Sequence, residues 1–130
     1  MESVKIRLSV LWLVGLLWGV VGTMLMMFEP GIMEQILIGE LEGVQITQEV
    51  LFVLAIMMLI PLVMAFLSLT LKDKANRWAN IIVGIFFTGY GLFDLLVNLE
   101  KYSAYMIFVG IVGLVFTALI IWYAWKWQKD

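Results

Sequence analysis

Polar side chains nearly vanish from four stretches of the chain: positions 8–28, 50–71, 79–97 and 105–125. Each apolar run holds about 19–22 residues, which at about 1.5 Å per helical residue crosses a hydrocarbon core of about 30 Å. The runs therefore predict four transmembrane helices. The joins at 72–77 and 98–104 are short, so consecutive spans must run antiparallel, and the predicted fold is an all-α up-down-up-down bundle. The first join, 29–48, is longer. Within it Ile32, Met33, Ile36, Leu37 and Leu41 recur at helical spacing, with Glu34, Gln35, Glu40 and Glu42 between them. That spacing predicts a short amphipathic helix on the outer surface, either packed on the bundle or lying over an outward-facing cavity as a lid. Its polar face is acidic and gains nothing from anionic headgroups.

The breaks between runs carry their own signals. Pro30 cannot continue the first helix and Gly31 frees the backbone after it. Thr47 is placed to cap the second span, with Glu49 in its first turn where the helix dipole favours an anion. Pro61 falls in mid-span and deprives the Met57 carbonyl of its usual donor, which predicts a kink and makes Pro61 the candidate hinge.

Charge orients the bundle. Lys5, Arg7, Lys72, Lys74, Arg77, Lys126 and Lys129 flank one side of the runs. Lys101 alone stands on the other, among Glu29, Glu34, Glu40, Glu42, Glu49 and Glu100. The positive-inside rule then places both termini and the 72–77 turn on the cytoplasmic face of a multi-pass protein of the inner, cytoplasmic membrane. Trp12, Trp78, Trp122, Trp125 and Trp127 fall near the same face, as an aromatic belt would. The run 8–28 exceeds a signal-peptide core, and Glu29-Pro30-Gly31 is not a small-x-small cleavage site, so the first span is expected to be retained. The four spans take up most of the 130 residues, which predicts a single domain over 1–130.

Composition removes whole classes of function. The chain is 64% hydrophobic and 14% charged; a soluble domain carries about 25% charged residues. There is no Cys and no His. Thiolate catalysis, disulfide exchange, iron–sulfur ligation, the usual zinc and haem sites and the Ser-His-Asp triad are all excluded by residue type. The acids are too scattered to suggest a carboxylate metal site, and no phosphate loop or dinucleotide fingerprint occurs. No cofactor, metal, nucleic-acid partner or enzymatic activity is expected.

What remains is a stripe on the third span. At about 100° per residue, Asn80, Phe87, Tyr90, Gly91, Asp94 and Asn98 share one helical face, which should turn toward the bundle interior. Asp94 stands out because an acid inside a span carries a desolvation cost unless it is paired or hydrated. It is read either as a ligand or ion site or as an interfacial group that caps a neighbour or pairs with Lys101. The expected ligand contacts are Asp94, Tyr90, Asn98 and Asn80. Gly15 and Gly19 form a G-x-x-x-G pair, the expected helix-contact face within the bundle or toward another subunit. Thr88-Gly89-Tyr90-Gly91 echoes a potassium-filter string, but a filter needs extended backbone, and this string sits within a continuous span. Arg77 opens the third helix, where it opposes the dipole and should be held by a lipid phosphate or an acid such as Asp73.

The strings Ile60-Pro61-Leu62-Val63-Met64, Asn76-Arg77-Trp78-Ala79-Asn80-Ile81-Ile82-Val83-Gly84 and Ile121-Trp122-Tyr123-Ala124-Trp125-Lys126-Trp127 resemble those of a family of small prokaryotic four-helix membrane proteins. That family is loosely similar to the DoxX-like group. The resemblance implies the fold; the redox roles of some DoxX-like members find no matching ligand here. The leading expectation is a non-enzymatic membrane protein that binds lipid, an apolar small molecule or a protein partner in or against its bundle. The alternative is a small oligomeric proton- or cation-coupled transporter using Asp94. Small multidrug exporters share its size and helix count but carry an acid in their first helix, and residues 8–28 contain none. An accessory subunit docking through Gly15 and Gly19 is the third.

Overall fold

The computed structural model describes residues 3–41 and 43–127. Four long helices dominate it: α1 (Ser3–Met27), α3 (Gln48–Thr70), α4 (Asp73–Val97) and α5 (Ala104–Lys126), each long and apolar enough to cross a membrane. The all-α reading holds. Two of the charged positions that orient the chain, Glu42 and Lys129, lie outside the described residues.

Each helix begins before its apolar run, because hydropathy marks where lipid begins and backbone hydrogen bonding does not wait for it. The α3–α4 turn is accordingly shorter than the expected 72–77 segment: Asp73 to Arg77 already belong to α4. At the turn, the Asn76 amide donates to the Ser68 carbonyl at 2.7 Å, satisfying a group that the end of α3 leaves open. Thr47 caps α3 as expected, its Oγ1 accepting from the Val50 amide at 3.2 Å.

The α1–α3 connector differs from the single amphipathic helix anticipated. Helix α2 covers only Ile32–Leu37. Gly39 adopts φ 82° just beyond it, a left-handed conformation that ends a helix whatever the spacing of later apolar residues. The chain then forms a small antiparallel hairpin, β1 (Glu40–Leu41) against β2 (Val44–Gln45), paired Glu40 to Gln45 and Leu41 to Val44.

Around the bundle the order is α3, α1, α5, α4, with extensive packing at the first three seams and little between α3 and α4. The short turn makes α3 and α4 neighbours in sequence, yet they meet chiefly where Ser68 touches Asn76 and Asn80. Glycines set the closest approaches. A methyl group at Gly22 would lie 2.8 Å from Val109 Cγ1, and one at Gly84 2.9 Å from Ile121 Cγ1. Within the chain the expected pair does not make the closest approach. Gly15 is only at ordinary contact distance from Phe116, and Gly19 has no neighbour within 4 Å. Gly22, a turn further on, makes the close α1–α5 contact.

The start of α1, the end of α5 and the α3–α4 turn share one end, here the basic end. Lys5 pairs with Asp73 at 3.1 Å. Arg77, expected to seek a phosphate or an acid such as Asp73, donates from Nε to the Ala124 carbonyl at 3.0 Å and from Nη2 to that of Trp125 at 3.4 Å. A cation that opposes its own helix dipole is held by the C-terminal carbonyls of the antiparallel neighbour. Its guanidinium also lies 5.0 Å and 5.3 Å from the ring centroids of Trp78 and Trp125.

The basic end is also where the core lies. Leu8, Trp12, Met64, Ala65, Ile81, Ile120 and Ala124 are buried there. Among them runs a polar network with Asn80 at its centre. Trp12 Nε1 donates to Asn80 Oδ1 at 2.7 Å and Ser68 Oγ to the same oxygen at 3.3 Å. Asn80 Nδ2 donates to the Asn76 carbonyl and side-chain oxygens at 2.9 and 2.7 Å. Ser9 Oγ reaches the Ala65 carbonyl at 2.9 Å. Ser68, Asn76 and Asn80 are wholly buried. An indole is a donor only, so Asn80 must present its oxygen to Trp12, and that fixes the direction of the remaining bonds.

Asn80→Leu should lower stability by about 2 kcal/mol, because it leaves the buried Trp12 N–H without an acceptor. Adding Trp12→Phe should recover part of the loss, since removing both partners costs less than orphaning one. Unfolding of the four proteins of this cycle in one detergent measures the coupling; additive losses would mean that the two side chains do not cooperate.

Candidate functional site

Toward the other, acidic end the packing opens. The buried residues of α3 are Met64, Ala65 and Ser68, all beyond Pro61, whereas Leu51, Phe52, Val53, Leu54 and Ile56 before it are exposed. Helix α3 runs unbroken through Pro61, which stands at the boundary between its packed and splayed halves.

The space left between the splayed helices is a cavity of about 380 Å³ lined by all four spans. Its size falls at the lower end of ligand pockets, roughly 300–1,000 Å³. Five of its lining positions are glycines: Gly15, Gly19, Gly91, Gly110 and Gly113. Gly19 and Gly113 leave open space beside them, whereas Gly91 and Gly110 pack closely on Leu114 and Leu95. The cavity floor is aromatic, with the Trp12 and Phe87 rings edge-to-face at 5.9 Å. Trp12 thus faces the cavity with its ring and the buried network with its N–H. At 3% exposure it is a core residue and not a member of the interfacial belt expected from sequence. Trp127, expected in the same belt, is likewise buried at 5% exposure, whereas Trp78, Trp122 and Trp125 are 43–55% exposed. On α3, Met57, Met58 and Pro61 form the facing wall. The Met57 carbonyl, which the proline ring leaves without its helical donor, lies on that wall.

Asp94 lines the cavity and is half-buried. Its Oδ2 accepts from the Tyr102 hydroxyl at 2.9 Å and its Oδ1 from Asn98 Nδ2 at 3.2 Å. These partners stand where the sequence offers Lys101 as a pairing candidate. Tyr90, 54% exposed, shares the lining. The expected four-residue site therefore divides. Asp94 and Tyr90 face the cavity, Asn98 acts through Asp94 while capping α4, and Asn80 belongs to the sealed network beneath the floor. Residues 80 and 94 are 14 apart, about 21 Å along a helix, so a shared face does not make a shared site. Tyr102 escapes sequence reasoning because it lies in the α4–α5 turn, where helical spacing says nothing about direction. Ser68 and Asn76 carry a readable signal: each is an uncharged polar residue four positions from Lys72, on opposite sides of the turn.

At the acidic end Tyr105 donates to the Glu29 carboxylate, tying the end of α1 to the start of α5. Trp18 Nε1 donates to the Val109 carbonyl at 2.9 Å and closes the same seam. Thr88-Gly89-Tyr90-Gly91 lies inside continuous α4, with Gly91 close to Leu114 and Gly89 open. Among the described residues no group of three or more acids is placed to hold a metal.

Four apolar helices, a buried polar clamp at one end and a cavity at the other define a four-helix multi-pass membrane protein. The chain belongs to a family of unknown function (DUF6326), which it matches over residues 1–130. No curated protein and no solved structure matches it.

The glycines should separate by role when substituted. Gly22→Leu and Gly84→Leu overpack tight seams and should each cost about 1–3 kcal/mol or more. Gly19→Leu and Gly113→Leu, with no neighbour within 4 Å of an added Cβ, should keep a near-native melting temperature while filling the cavity. Equal melting losses in all four would refute this division.

Proposed function

We propose that the protein is a non-enzymatic binder of an apolar molecule, a lipid chain or a small hydrophobic compound, taken from the bilayer into the bundle. The cavity carries the proposal: it is apolar, glycine-hollowed, and unclosed at the one seam, α3 to α4, that lacks extensive packing. Protein interiors are otherwise close-packed, so a hollow of this size between membrane helices invites an occupant. Entry is sideways from lipid, and the half of α3 before Pro61 is the wall that yields, with Pro61 as hinge. The basic end faces the cytoplasm of a cell whose inner membrane holds the protein, so the cavity serves the outer leaflet.

The floor argues against the transporter reading. A path from Asp94 to the basic end would have to part the Trp12–Asn80 bond and the sealed side chains below it. The accessory-subunit reading loses ground as well, since Gly15 and Gly19 line the cavity.

Native mass spectrometry of protein released from mild detergent should show one reproducible bound apolar mass. The Gly19→Leu, Gly113→Leu double variant should lose it. An empty wild type, or an equally loaded variant, would sink the proposal. The orientation has its own test, aided by the absence of native cysteine. In intact cells Glu34→Cys should react with a membrane-impermeant maleimide and Lys74→Cys should react only after lysis; the reverse pattern would invert the topology.

A further inference from the structure

Resting on that reading, we infer that the occupant is a cationic amphiphile: a positively charged or amine head held at Asp94 with an apolar tail reaching down to Trp12 and Phe87. Asp94 is the only charged side chain among the described residues that line the cavity. Its hydrogen bonds come from Asn98 and Tyr102, both neutral donors. They orient the carboxylate without cancelling its charge. A carboxylate has about four lone-pair sites; these two side-chain donors leave room for a third partner from the ligand. Within a span, an uncompensated acid marks a place where a counter-charge is supplied.

The surroundings favour the same sign. Tyr90 and Tyr102 line the cavity beside Asp94, and aromatic faces attract cations. Glu29, Glu34, Glu40, Glu49 and Glu100 stand at this end of the bundle, against Lys101 alone. An acidic mouth concentrates cations and repels anions. Polarity also has a direction. Asp94 and Phe87 are seven residues apart on α4, about 10 Å along the helix, with the carboxylate at the outer level and the aromatic floor below. A molecule with one charged end and a short apolar body matches that layout, whereas a neutral hydrocarbon leaves the carboxylate without a counter-charge and an anion meets it head-on.

The test is isothermal titration of the protein in phosphatidylcholine nanodiscs, with empty nanodiscs as the partition control. The probes are octyltrimethylammonium, 1-octanol and octanesulfonate. The cation should bind one per protein, at least about tenfold tighter than the alcohol, at the low end for a desolvated charge pair. The sulfonate should show no saturable binding. Asp94→Asn keeps one acceptor oxygen for Asn98 and turns its NH2 toward the Tyr102 hydroxyl, which can accept as well as donate; it should bring the cation down to the alcohol's affinity and leave the alcohol unchanged. Asp94→Glu should retain the cation preference. Equal affinities for cation and alcohol in the wild type, or a cation preference that survives Asp94→Asn, would overturn the charge assignment and leave the apolar cavity standing. Absence of saturable binding by both cation and alcohol would overturn the cavity reading itself. Should Asp94→Asn fail to fold, the three-probe comparison on the wild type and Asp94→Glu still decides.

Discussion

The hydrogen bond from Trp12 to Asn80 is the contact on which the architecture turns. Lipid tails are as apolar as the side chains they surround, so helices in a bilayer gain little by hiding leucines from one another. Position is set instead by polar groups that have no other partner and by close backbone approach. Asn80 takes α1 through Trp12, α3 through Ser68 and the start of its own helix through Asn76, all within a region from which solvent is excluded. α5 joins by other means: glycine contacts at Gly22 and Gly84 and the capping of its last carbonyls by Arg77. Three helices are clamped through the Asn80 amide and the fourth by glycine contacts and Arg77.

That clamp is confined to one end, and the asymmetry shapes the rest. Below Trp12 the bundle is solid. Above it α3 and α4 make little contact, with Pro61 at the level where burial on α3 stops, and Gly19 on α1 and Gly113 on α5 leave space unfilled. The same indole closes the floor of the cavity with its ring and anchors the clamp with its N–H. Occupancy of the cavity and integrity of the clamp therefore share a residue, and an occupant can stabilise the protein without touching any of the asparagines.

Much of this architecture is legible in the amino-acid sequence. Four spans, their antiparallel order and the basic end follow from the apolar runs and from lysines and arginines whose positions need no tertiary information. Asp94 is legible too, because an acid inside a span is conspicuous by its cost. The division of the α4 stripe is not. Helical periodicity reports direction around an axis and is silent about depth, so Asn80 and Asp94 look like one site although the Trp12 ring lies between their levels. The glycines mislead for a related reason. G-x-x-x-G says that backbones can approach, while the structure uses Gly22 for the close approach, gives Gly15 only an ordinary contact with Phe116 and leaves open space at Gly19. The choice depends on what α5 presents opposite each, and α5 meets α1 only through the fold. The outer connector departs from expectation because Gly39, unremarkable in a pattern of apolar spacings, takes a left-handed conformation that stops α2.

The central claim is that the cavity exchanges with the bilayer through the α3–α4 seam. Photolabelling with a diazirine-bearing alkyl chain dissolved in the membrane, followed by mapping of the adducts, addresses it most directly. The account predicts saturable adducts on Asp94, Tyr90 and Tyr102, competed by unlabelled chain and abolished by Gly19→Leu with Gly113→Leu. Adducts confined to lipid-facing residues such as Phe52, Phe93 and Leu96, unchanged by competition, would contradict it.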